Sequence, residues 1–169
     1  MKNQAPVLAR AASVIPGVNG PLQAASSLLS TGRDLSEAAT LVSQGVSVFS
    51  DDAHFLKDQP LSYKIEYLFV RLAEAAPLVR SGAAELSSVD VSALPAEAVD
   101  QVSSLKGTLP LLSDQLGAIE HMAQPLLKLL GHQSMQRYLV MFQNNTELRA
   151  TGGFMGSFAE VKIHEGVLE

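Results

Sequence analysis

Arg137 to Glu169 reads RYLVMFQNNTELRATGGFMGSFAEVKIHEGVLE, and the change of period in this stretch decides the fold class. Tyr138–Phe142 is an unbroken apolar run with aromatic and β-branched members, which suits a strand buried on both faces. Gln143, Asn144 and Asn145 are expected to stop that strand, because Asn side chains bond the local backbone and favour turns. A loop is expected from Thr146 to about Met155, with Gly152-Gly153 permitting positive φ. After Gly156 the alternation is strict. Ala159, Val161 and Ile163 point one way and Glu160, Lys162 and His164 the other, the period of a half-buried antiparallel strand. Glu165-Gly166 is a turn signal, and Val167-Leu168 begins a third strand.

Upstream of this stretch the period is helical. A short helix is expected over residues 5 to 15, closed by Pro16-Gly17. Pro21 opens a helix to about Ser50, since the first turn needs no amide hydrogen from it. Leu28, Leu35, Val42 and Phe49 form one line along it, and Ala25, Gly32, Ala39 and Val46 a neighbouring small line. A loop bracketed by Asp51-Asp52 and Asp58-Gln59-Pro60 precedes a helix over Leu61 to Leu86, in which Pro77 predicts a kink or short break. Ser87 to Leu94 is a polar connector. Pro95 opens the last helix, to about Leu130, with Val102, Leu105, Leu109, Leu112, Leu116, Ile119, Ala123, Leu126 and Leu130 as its stripe; Gly131 ends it. Leu35, Val42, Leu68, Leu72, Leu112, Leu116 and Ile119 are the expected core. The fold class is therefore α+β: an antiparallel helical bundle or stalk over residues 5–130, then the first strands of an antiparallel or mixed sheet. The domains read as 1–130, helical, and 131–169, the start of a small α+β domain that reads as truncated.

Composition narrows the function. The chain has 169 residues, is 47% hydrophobic and has a net charge of −5. That balance lacks the basic footprint of a nucleic-acid binder. With 5% aromatic residues and no Trp, there is little for base stacking or a sugar platform. Without Cys there is no disulfide, thiol catalysis or Cys-based zinc site. His54, His121, His132 and His164 have no metal-ligand spacing, so no metal site is assigned. No signal segment and no apolar run long enough for a membrane span is visible.

The pattern YLVMFQNNTELRATGGFMGSFAEV closely resembles the signature of a bacterial family known as domain of unknown function 4012. Leu129-Leu130-Gly131 and Arg137 resemble its approach to the first strand, and Ile15-Pro16-Gly17 is similar to its helical region. The resemblance implies a cell-envelope protein that is extracytoplasmic and held by a transmembrane anchor lying before Met1, in a chain that is a piece of a longer protein. It implies no established activity.

Two overlapping sites are singled out. Asn144, Asn145, Glu147 and Arg149 are expected to converge near Gly152-Gly153 as one polar cluster, with Arg149 either latching the loop to Glu147 or contacting an anion through its planar guanidinium. Arg149, Gly152, Gly153 and Gly156 form a candidate anion-binding loop. A nucleotide loop is disfavoured, because the glycines lead into a strand rather than a helix N-terminus, and the Lys-Ser/Thr pair is missing. No residue is assigned a catalytic role, and no cofactor is evident.

Three readings of function stand. The first is a structural or interaction module of the envelope with a helical spacer, partnered by a cell-wall or envelope polymer or by unknown proteins. The second is a phosphotransferase-like enzyme similar to the LytR–CpsA–Psr ligases, which act on lipid-pyrophosphate-linked glycopolymers. There Arg149 would contact pyrophosphate, and Glu147 or Asn145 would lie near magnesium; this chain lacks the aspartates of those enzymes at the loop. The third is a cytoplasmic helical adaptor.

Overall fold

The structure, a computed structural model, describes residues 19–50, 56, 58–149 and 152–168. The helix expected over 5–15 and most of the loop after Asp51 lie outside them. In chain order the elements are α1 (Asn19–Ser47), α2 (Leu61–Ser87), a 3-10 turn (Val91–Ala93), α3 (Ala96–Leu129), β1 (Gln136–Arg149), β2 (Gly152–His164) and β3 (Val167–Leu168). This is the expected α+β order, helices first and strands after Gly131. The described residues fall into two compact units. One lies within Met1–Gly45 and Arg71–Glu120, the other within Val46–Val70 and His121–Glu169.

The first unit is a three-helix packing with two cores. Ala24, Leu86, Val89, Val102 and Leu109 form one, and Ala38, Ala75, Ala76, Val79 and Leu116 the other. Alanine supplies four of these ten positions, and side chains this small permit a close helix approach. At one such approach the buried Thr31 hydroxyl donates to the Gly82 carbonyl at 3.4 Å.

The expected helix faces need correction here. The small line Ala25, Gly32, Ala39 is exposed, and the buried line is Ala24, Thr31, Ala38 and Gly45. Both lines flank the half-buried Leu28, Leu35 and Val42, one at i−3 and the other at i−4. Side chains three and four apart are equal neighbours on a helix, so periodicity alone does not choose between them. Phe49 and Leu105 are exposed, and so is Leu112 at 40%. Leu35, Val42 and Leu72 pack at the edge of the second core rather than inside it. Leu68 and Ile119 are half-buried, while Leu116 is buried as expected.

Of the kink or short break expected at Pro77, the break does not occur: α2 continues through it, with the ring on an exposed position. The connector is held by side chains. Asp90 accepts from the Ser92 amide and hydroxyl, at 2.9 and 2.8 Å. Lys106 donates to the Ser87 and Val89 carbonyls. The Ser92 hydroxyl, then its amide, and the nearby Lys106 hold the Asp90 carboxyl below the usual range. Its contribution to folding is therefore present above the ordinary carboxylate value and is lost as pH falls through the lowered one.

In the second unit the strands pair antiparallel in the order β1-β2-β3. Tyr138 faces Val161, Val140 faces Ala159 and Met141 faces Phe158. The asparagines do not stop the first strand at Gln143–Asn145, contrary to expectation. β1 continues to Arg149 and β2 starts at Gly152, so the loop expected over Thr146–Met155 is mostly paired strand. Ladder hydrogen bonding overrides the local turn preference of the asparagines. That preference survives as an irregularity between Asn144 and Leu148, where the Asn144 side-chain Oδ1 accepts from the Thr146 amide at 3.0 Å and from the Thr146 hydroxyl at 2.6 Å. Glu165, at φ 53°, and Gly166, at φ 83°, make the tight turn into β3, the primed geometry that suits strand twist.

Three substitution results are expected from the helical packing. Leu116→Ala should cost ~2–5 kcal/mol in urea melts, whereas Leu112→Ala should cost less than ~1 kcal/mol; equal costs would mean the two faces are not distinguished as described. Gly32→Ala should stabilise by ~0.5–1 kcal/mol, because a Cβ there meets nothing within 4 Å.

Candidate functional site

The hairpin brings β1 and β2 together as neighbours, so Arg149 stands opposite Gly152 and Leu148 opposite Gly153 in the ladder. Gly152 and Gly153 are extended residues of β2 rather than a loop. The described side chains stop short of Asn145, Glu147 and Arg149, so the expected polar cluster has only Asn144 placed, and that residue is engaged by Thr146. Gly156 sits at the register shift after Phe142.

A second constellation, centred on His132, is built by the end of α3. Leu129 is the last helical residue, and Gly131 takes φ 66°. The Gly131 amide donates to the Lys128 carbonyl at 3.0 Å and the His132 amide to the Leu127 carbonyl at 3.1 Å, the paired bonds of a Schellman cap. The cap's own carbonyls then receive the β2–β3 turn. The Glu165 amide donates to Gly131 at 3.1 Å and the Gly166 amide to Leu130 at 2.7 Å. A Cβ on Gly131 would collide with the Ile163 carbonyl, so only glycine fits. The turn also meets the start of α2, where the Ser62 amide donates to the Glu165 carbonyl at 3.3 Å. The Tyr138 hydroxyl closes one more orphan carbonyl of α3, that of Leu129, at 2.6 Å.

This geometry aims the His132 ring at the first turns of α2. Nε2 lies 3.3 Å from a Glu66 carboxylate oxygen and Nδ1 3.2 Å from Ser62 Oγ. Tyr63 packs against the ring edge-on, with centroids 4.6 Å apart. A carboxylate only accepts, so Nε2–H donates to Glu66; Nδ1 then accepts from Ser62 in the neutral ring. A Ser–His–carboxylate line invites comparison with acyl-transfer sites. Ser62 is 0% exposed, however, so no substrate carbonyl reaches its oxygen, and the line is a buried tie between α2 and the α3 cap.

On its open side the tie borders a cleft of about 570 Å³. It is lined by Glu66 and His132, by Gln124, Pro125, Leu127 and Lys128 of α3, and by Gln133, Ser134 and Gln136 where the chain enters β1. Sequence pattern does not reveal this place. His132 has no metal-ligand spacing, and its partners lie in another helix, 70 residues away for Ser62. The legible signal is the Ser62–Glu66 spacing of four, which puts both on one face of a helix start, beside a glycine stop followed by His.

Replacing Gly131 by Ala, or His132 by Ala, should undock the turn from the cap. The expected cost is about 1–3 kcal/mol in each case, with faster hydrogen exchange at the Glu165 and Gly166 amides. Unchanged exchange at those two amides would show that the turn is held elsewhere.

Among the described residues no helix is long and apolar enough to cross a membrane, and no group of three or more His, Asp or Glu side chains is placed to hold a metal ion. No curated protein and no solved structure matches the chain. Residues 133–169, which contain all three strands and the Gln133–Gln136 side of the cleft, match the model of the family described as "Protein of unknown function (DUF4012)", the family that the pattern from Tyr138 to Val161 resembles.

Proposed function

We propose that the chain is a structural and interaction module of a bacterial cell envelope, held at the membrane through an anchor outside these residues, with the helical region as spacer and the sheet as the docking element. The observation that carries this reading is the exposure of large apolar side chains on both faces of β1 and β2. Leu139, Met141, Met155 and Phe158 share one face and are 59–72% exposed. Phe142 on the other face is 56% exposed. A cluster of this kind is what a soluble protein covers with another protein surface. The family pattern at residues 133–169 supports the envelope setting through the resemblance alone.

The test places a photo-crosslinking residue at Phe158 and, separately, at Leu111, an equally open leucine of the helical region at 63% exposure. In the producing cell, Phe158 should give an adduct with an envelope protein, Met141→Asp should abolish it, and Leu111 should give none. Fractionation with the cytosol, or equal labelling from both positions, would overturn the reading and favour the cytoplasmic adaptor.

A further inference from the structure

We infer that the cleft beside His132 is a binding site for a short neutral saccharide; the inference is independent of the role proposed for the sheet. Its first support is convergence. Among the described residues the side chains of Gln124, Lys128 and Gln133 have no hydrogen-bond or ion-pair partner. Gln136 spends its amide nitrogen on Ser134 and keeps its carbonyl oxygen. These groups line one cleft with Glu66, whose side chain is 45% exposed and which has one oxygen on His132. A cleft of hundreds of cubic ångströms with several convergent polar groups is the ordinary form of a small-ligand site.

The second support is charge. Lys128 lies in the last turn of α3, where an ammonium is balanced by the negative end of the helix. The Glu66 carboxylate is matched by the His132 N–H. The lining thus holds one carboxylate and one ammonium, which sum to no net charge: the first opposes an anion and the second a cation. What remains is a dense mixture of donors and acceptors, since each glutamine amide offers both. Sugar hydroxyls also donate and accept at once, so vicinal hydroxyls fit amides and a carboxylate together. In the apolar part of the lining Leu127 is buried, and the exposed Pro125 offers a small contact for ring C–H groups. A peptide would pair along the outer edge of β1, which reaches this lining only at Gln136. Among the described lining residues there is no Phe, Tyr or Trp ring to stack on a sugar, so binding is weak.

The whole chain, labelled for NMR of its side-chain amides, is titrated with maltose and with N,N′-diacetylchitobiose. At least one disaccharide should shift the Gln124, Gln133 and Gln136 signals saturably, with a dissociation constant on the order of a millimolar. Gln124→Ala combined with Gln133→Ala should weaken it about tenfold or more while the melting temperature stays unchanged, both side chains being exposed. Glu66→Gln should weaken it too, and the His132 ring signals report whether the buried tie survives. Absence of saturable shifts up to about 100 mM overturns the inference. So does a stronger response of the same signals to inorganic phosphate or to N-acetyl-dialanine amide, which would make the cleft an anion or peptide site.

Discussion

The second compact unit rests on how α3 ends. A helix finishes with unpaired carbonyls that need partners, and here the Schellman bonds of Gly131 and His132 satisfy two of them. The positive φ at Gly131 turns the chain, and the same residue's missing Cβ leaves room for the Ile163 carbonyl. That room lets the Glu165-Gly166 turn donate both its amides to the cap. The direction of β1, the seat of the turn and the aim of the His132 ring all depend on one glycine. The buried Ser62 hydroxyl and the Glu66 carboxylate then find partners in that ring, which keeps buried polar groups from being left unsatisfied.

The helical unit is built on a different constraint. Its cores draw on Ala24, Ala38, Ala75 and Ala76 as much as on Leu86, Leu109 and Leu116. A methyl buries little area, at about 25 cal/mol per Å² of apolar surface, so each alanine contributes less than a leucine would. Small side chains compensate by closeness, as at Thr31 and Gly82, where a polar contact bridges two helices directly. Leucines left outside, such as Leu105, Leu111 and Leu112, are the other side of the same choice.

The sheet and the cleft bring different chemistry to the second unit. The β1–β2 hairpin carries bulk apolar side chains and the cleft carries amides, so one suits protein contact and the other hydrogen bonding to a polar ligand. Both depend on the α3 cap, because Gln133, Ser134 and Gln136 reach the cleft only after the chain has turned at Gly131.

Local pattern alone set the order of elements. The stripes before Gly131 and the alternation after Gly156 are repeating local signals, and the described helices and the Glu165-Gly166 turn lie close to where those signals place them, while the two long strands run further toward each other than the signals do. The alternating residues after Gly156 lie inside the family pattern matched at 133–169. Packing chose among alternatives that periodicity leaves equivalent. Ala24 and Ala25 flank the same leucine line, and packing buried the first. Asn144 and Asn145 favour a turn locally, and the ladder held that segment in strand up to Arg149. The His132 constellation is legible only as a spacing of four between Ser62 and Glu66, because a hydrogen bond across 70 residues of sequence leaves no periodic trace. Contacts of that kind are fixed by where two elements meet, and a single chain's pattern encodes the elements more directly than their meeting.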